Sequence, residues 1–324
     1  MIDYSGFAGR LAACEDRAAR WDLLREVQRE WGFVGAGNVW EPRTEWPPAD
    51  MTGDSEPEDE EFEGFDEADE DYGYAAVVPP AINEWYALAE NSFSQMPFLY
   101  WTHPMDRPCR YPDARTVFYL RKHDIAEDVI PPFHGIFMAE YEACFSWGYR
   151  ESDAMKDDDP PVYVLNYARP EWELAEDLAD GPDDPRCMEL TARSITEWAL
   201  AFAMVNIPFS AQHVLSTLRA EPEKGDPGVF DAAAVAQHTI ADYSTLTDDQ
   251  RARLDEAYPS LGFLTWQDFG ANQLRGGPDV VLNHKTDPDD PDANGSLSIA
   301  ARTPEAMAAV VERLGLDDNT PPEI

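Results

Sequence analysis

Between Ile136 and Tyr167 the chain reads IFMAEYEACFSWGYRESDAMKDDDPPVYVLNY. Two apolar runs rich in Phe, Trp, Tyr and Val, Ala143–Tyr149 and Val162–Tyr167, flank a polar, acidic connection that ends in Asp159-Pro160-Pro161. Aromatic and β-branched residues suit a half-buried pleated surface, and Pro and Asp clusters end it. The stretch predicts two neighbouring strands of one sheet. It holds no nucleophile, metal cage or phosphate cradle, so it points to a binding surface and not to a catalytic centre.

Outward from this pair, most elements read as helices able to cover a sheet. Trp21, Leu24, Val27 or Gln28, and Trp31 recur at helical spacing between Asp16 and Gly32. After Val77-Val78-Pro79-Pro80, the residues Ile82, Trp85, Tyr86 and Ala89 form an i, i+3, i+4, i+7 stripe, with proline at the helix start. Phe98–Trp101 and Val117–Leu120 read as further strands. Ser194-Ile195-Thr196-Glu197 has the form of a capping box. Ile195, Trp198, Ala199, Phe202 and Val205 then give one apolar face, with Pro208 as the expected stop.

The C-terminal part reads as a smaller module. Thr247-Asp248-Asp249-Gln250 opens a helix that ends by Pro259. Asp279–His284 and Ser296–Arg302 predict a hairpin pair of strands. Thr303-Pro304-Glu305 caps a final helix lined by Met307, Val310, Val311 and Leu314 and closed by Gly315. The fold class is therefore α+β: a central β-sheet with packed helices, plus a C-terminal β-β-α module. Five segments are expected: an N-terminal helical segment (1–44), an acidic disordered insertion (45–76), an α+β core (77–208), a linker with room for a helix (209–245), and the C-terminal helix and β-β-α module (246–324).

Composition narrows the partners. A hydrophobic share of 44% and ten Trp argue for a real core, while the net charge of −40 repels phosphates and anionic lipid heads. Nucleic acid and membrane are therefore not expected partners, and a basic protein is. Asp54–Asp71, DSEPEDEEFEGFDEADED, is nearly all acid and stays solvated, with Phe62 and Phe65 set in it as in acidic interaction tails. Four scattered Cys form no CxxC, and no apolar run is long enough for a bilayer span. With no secretory pattern in Met1–Leu11, the expected compartment is the cytoplasm.

Chemistry-bearing motifs are weak. Six His show no HxxxH or HExxH spacing, and His123-Asp124, if in a strand, would point to opposite faces. Gly35-Ala36-Gly37 lacks the strand and the third glycine of a dinucleotide loop. Asp290-Pro291-Asp292-Ala293-Asn294-Gly295 matches half of a calcium loop, but Ala301 stands where a bidentate Glu is needed. Asn294-Gly295 is also a hairpin turn pair. No cofactor or metal is expected. Glu140 and Glu142, in aromatic surroundings, would suit a carboxylate-based glycosidase only if two carboxylates faced one cleft.

Together these pieces resemble the SUKH superfamily. Val78-Pro79 with Ile82, Trp85, Tyr86 and Leu88 is similar to its opening "LP-x-x-L-x-x-W-Y-x-L" helix. Glu140-x-x-x-Cys144-x-x-Trp147-Gly148-Tyr149 is similar to its "E-N-Q-G-V-x-x-W" strand, with Tyr141 and Glu142 in place of Asn-Gln. Asp159-Pro160-Pro161-Val162-Tyr163 resembles its "D-P-P-V-W/Y" strand entry, and Ser194-Ile195-Thr196-Glu197-Trp198 its "S-F-S-E-F-L" helix. The four landmarks stand in family order across about 77–207. The resemblance implies a central sheet with packed helices and a non-catalytic role. In bacterial members that role is immunity, in which a cytoplasmic protein binds and blocks a polymorphic toxin, often a nuclease or deaminase. Eukaryotic relatives are regulatory scaffolds of cell-wall assembly, which makes a scaffold for an endogenous protein the alternative. The residues expected to meet a basic toxin are Glu140, Glu142, Trp147, Tyr149, Asp157, Asp158 and Asp159, although Trp147 also fits a core position.

Overall fold

The computed structural model describes residues 2–32, 77–88, 100–101, 109–111, 134–140, 145–166, 188–220, 239–243, 246–267, 271–286 and 295–316. The helices are α1 (Phe7–Ala12), α2 (Arg17–Glu30), α3 (Pro80–Ala87), α4 (Glu151–Ala154), α5 (Ile195–Ala220), α6 (Asp248–Ala257) and α7 (Pro304–Leu314). The strands are β1 (Tyr100–Trp101), β2 (Cys109–Tyr111), β3 (His134–Glu140), β4 (Phe145–Arg150), β5 (Val162–Asn166) and β6 (Met188–Ala192). They continue with β7 (Thr239–Tyr243), β8 (Trp266–Gln267), β9 (Ala271–Gly277), β10 (Val280–Thr286) and β11 (Ser296–Ala301). Helices and antiparallel sheets make this an α+β protein, the class expected from the sequence.

The chain divides into two compact units. One contains Val39–Ala87 and Ser94–Ile195; the other contains Met1–Asn38, Leu88–Phe93 and Thr196–Ile324. The N-terminal helices thus belong with the C-terminal sheet.

In the first unit the sheet order is β1-β3-β4-β5-β6, with β2 also paired to β3. The two strands expected at its centre, β4 and β5, pair antiparallel with Trp147 opposite Val164 and Gly148 opposite Tyr163. Alternation puts Trp147 and Tyr149 on one face, and both are fully buried. Phe137 stacks on Tyr149 at 6.2 Å and meets Trp85 edge-on at 5.8 Å, while the Tyr86 hydroxyl donates to the Phe137 carbonyl at 3.3 Å. The predicted α3 stripe of Ile82, Trp85 and Tyr86 is therefore buried against β3 and β4. Gly135 is opposite Tyr149 in the ladder, and a Cβ there would lie 2.4 Å from the Tyr149 ring. Only glycine lets that ring cross the backbone.

The second unit carries the sheet β7-β11-β10-β9-β8. The predicted β10–β11 pair is present, with Leu282 opposite Ile299. On one face Val280, Leu282, Leu297, Ile299 and Ala301 form a core with Leu246, Leu254 and Tyr258, and with Met307, Val310 and Leu314 of α7. Also buried in this unit are Trp198, Phe202 and Trp266, with centroids 4.9–5.9 Å apart, and Tyr4, Phe7 and Trp31. β10 is buried on both faces over Val280–His284, and so takes the polar Asn283 and His284 into the interior beside Val280, Val281 and Leu282. The β-β-α module is thus part of a larger five-stranded unit. The extra strand β9 (ANQLRGG) has few β-formers but holds Gly276 and Gly277, where a Cβ would lie 2.6 Å from Tyr4 and 2.9 Å from Tyr258.

Caps follow the sequence closely. Asp16 accepts from the Ala19 amide, and Thr247 and Gln250 form a reciprocal capping box. Thr303 accepts from Ala306, with Pro304 in the first turn and Gly315 in the left-handed conformation at φ 67°.

Pro208, by contrast, does not end its helix, since α5 runs on to Ala220. A mid-helix proline costs about 3 kcal/mol. From Ile195 to Ile207 every residue of α5 is buried, where a single apolar face was expected. Residues 209–245, read as a linker, contain the rest of α5 and strand β7. Val117–Leu120, the 45–76 insertion and the calcium-like fragment Asp290–Asn294 lie outside the described residues.

Candidate partner-binding site

The β4–β5 connection, Glu151 to Pro161, is built from local hydrogen bonds. Helix α4 starts directly after β4, with Glu151 and Asp153 in its first turn, where carboxylates complement the helix dipole. Met155 N–H donates to the Glu151 carbonyl at 3.0 Å, and Lys156 and Asp157 N–H both donate to the Asp153 carbonyl at 2.9 Å. The Asp157 carboxylate then accepts from Asp159 N–H at 2.9 Å, the turn that short acidic side chains favour. Finally, the Asp158 carbonyl accepts from Ala81 N–H at 3.1 Å, tying the connection to the first turn of α3. Pro160 is buried and leads into β5.

This anchoring fixes what the connection presents to solvent. Met155 is 67% exposed and is accompanied by exposed Ser152, Lys156, Asp157 and Asp158, with Glu151 and Asp153 half-buried. Among the described residues only Val77, Met155 and Leu190 are large hydrophobics with such exposure. Nearby, the Arg150 guanidinium lies 4.6 Å from the Tyr163 ring centroid, and His134 meets that ring edge-on at 5.9 Å. Burial raises the Tyr163 phenol above its ordinary range, with Arg150 opposing and Asp153 reinforcing the rise.

The expected contact residues divide accordingly. Asp157 and Asp158 are exposed on the connection. Asp159 is 8% exposed and belongs to the turn into β5. Tyr149 is corrected outright, and Trp147 takes the core position that its place in the sequence favoured: both are core residues, because they share the β4 face that packs against Phe137. Burial pushes the Tyr149 hydroxyl well above the usual phenol range. Glu140 ends β3 opposite Tyr100, with its side chain outside the described set, as is Glu142 altogether. Sequence reasoning missed Met155. A lone Met among acids carries no sign of its exposure, and only the hydrogen bonds around it show that it projects.

Two other features bear on chemistry. In the second unit a cavity of about 150 Å³ is lined by Ser260, Phe263, Leu264, Thr265, Gln273, Leu274 and Arg275. Two of its polar side chains are engaged: Arg275 pairs with Asp255 at 2.5 Å and donates to the Tyr258 carbonyl at 3.0 Å, while Ser260 Oγ accepts from Gly262 N–H at 3.1 Å. Among the described residues no three His, Cys, Asp or Glu side chains are placed to hold a metal ion, and no helix is long and apolar enough to cross a membrane. Comparisons with family models, curated proteins and solved structures give no match.

Proposed function

We propose that this chain is a non-catalytic, cytoplasmic immunity protein of the SUKH type, which binds and neutralises a basic toxin through the acidic β4–β5 connection. The observation that carries this reading is Met155, exposed at the tip of an internally hydrogen-bonded turn and accompanied by Glu151, Asp153, Asp157 and Asp158. A preorganised loop loses little entropy on binding, and an apolar anchor rimmed by charge is the usual layout of a specific contact. The net charge of −40 would steer a basic partner toward it and speed encounter at low salt. The family-like landmarks support the same reading, because they fall in order at α3, from the end of β3 into β4, at the entry to β5 and at the start of α5.

The test is capture by the purified full chain of proteins encoded beside its gene, followed by a salt titration and an activity assay of any complex. Immunity predicts one tight, salt-sensitive, basic partner whose activity disappears on binding. Capture of several endogenous proteins, with no inhibited neighbour, would replace immunity with a scaffolding role.

A further inference from the structure

We propose that His284 is a proton-operated catch in the five-stranded unit, holding α6 against β9 and β10 while its ring is neutral and releasing α6 when it gains a proton. His284 lies on β10, the central strand, and is 6% exposed. By alternation it shares a face with Leu282, which packs with Leu254 of α6. Its ladder neighbours are Gln273 on β9 and Leu297 on β11. Gly295 closes the ring off on another side: a Cβ at Gly295 would lie 2.9 Å from Nε2. Among the described residues neither ring nitrogen has a hydrogen-bond partner. A neutral ring tolerates this; an imidazolium, with two N–H donors to satisfy, does not.

The charges around it point the same way. The charges of Arg251 and Asp255 on α6 and of Arg275 on β9 all act on the ring, and its ladder neighbour on β11 is the uncharged Leu297. Asp255 is already paired with Arg275, and Arg251 with Asp248. A protonated His284 would therefore be a third cation beside two guanidiniums, with one committed carboxylate. Burial, then Arg275, lower the His284 pKa below its ordinary value; Asp255 opposes this and Arg251 adds to it. A His whose folded pKa is depressed leaves the folded state unaffected above the unfolded pKa. It destabilises that state progressively as pH falls below about 6.5, because the open state then binds the proton more readily. The lowest-cost response is local: α6 parts from the sheet, hydrating the ring and uncovering Leu254, Leu282 and Leu297.

Hydrogen exchange of the full chain at pH 7.5, 6.5 and 5.5, corrected for intrinsic rates, tests this. Opening of residues 248–257 and 280–286 should increase by up to about tenfold per pH unit below about 6.5, while β4 and β5 stay level. In His284→Gln the pH-dependent increase should vanish. An unchanged wild-type profile, or the same increase in His284→Gln, would overturn the catch. Should that variant not fold, the wild-type His284 ring followed by NMR decides: titration below the unfolded value supports the catch, and titration at or above it refutes it.

Discussion

Replacing Arg302 by Met should unfasten the N-terminus from the five-stranded unit. Arg302 is 11% exposed by side chain and pairs through one guanidinium nitrogen with Glu30, itself 13% exposed, and through another with Asp279. The same Glu30 carboxylate accepts from Ile2 N–H at 2.5 Å and from the Tyr4 hydroxyl at 3.3 Å, and Trp31 Nε1 donates to Tyr4 at 2.7 Å. Asp279 occupies the left-handed position of the Pro278-Asp279 hairpin turn at φ 61°, and its carbonyl accepts from Arg302 N–H at 2.9 Å. One guanidinium thus joins α2, the β9–β10 turn and the end of β11. Removing one partner of a buried ion pair leaves the other charge stranded and costs about 3–5 kcal/mol. At about 2–4 °C per kcal/mol, that is a melting temperature lower by about 6–20 °C. Scanning calorimetry of the full chain reads this directly, and the transition of the β1–β6 unit should stay in place. The double variant Arg302→Met/Glu30→Gln should recover part of the loss, since the buried carboxylate is then neutral and only the more exposed Asp279 keeps an unpaired charge. A shift below about 2 °C, equivalent to less than about 1 kcal/mol, would refute the reasoning.

Other substitutions test separate links. Gly135→Ala should cost about 1–3 kcal/mol in urea unfolding, because its Cβ would strike the Tyr149 ring; no loss would mean the ring can move aside. Thr303→Ala removes the cap of α7 and should cost about 1 kcal/mol in the same assay, whereas Thr303→Ser should be nearly neutral. Burial raises the Tyr4 and Tyr149 phenols, so the folded state keeps protons that the unfolded state sheds; stability should be constant near neutrality and decline as pH rises past about 10. Ultraviolet titration should then show both phenols ionising only together with unfolding, and free ionisation near pH 10 would contradict their burial.

Much of the architecture was legible because its signals are local. The β4–β5 and β10–β11 pairs follow from runs of β-formers punctuated by Pro and Gly, and Asp16, Thr247 and Thr303 declare helix starts within three residues. What escaped depends on distant partners. β9 is a strand because β8 and β10 pair with it and Tyr4 packs over its glycines, not because ANQLRGG prefers to extend. The first thirty residues join a sheet some 270 positions away through Glu30 and Arg302. α5 runs on to Ala220 although Pro208 is a local stop signal. The candidate site was half legible for a similar reason. Carboxylates in the β4–β5 connection could be read from the letters, and the core fit of Trp147 with them, but Tyr149 could not be assigned to core or surface until the sheet face it occupies was known.

The most direct test of a recognition role for the β4–β5 connection is calorimetric titration of a captured basic partner against the wild-type chain, Met155→Ala and Asp158→Lys. Asp158 contributes its backbone carbonyl to the anchor of α3, so its side chain can be reversed without removing that bond. Melting temperatures should stay within about 2 °C of wild type, with at least a tenfold weaker affinity for each variant and a shallower salt dependence for Asp158→Lys. Wild-type affinity and salt dependence in both folded variants would contradict that role and move the interface elsewhere on the chain.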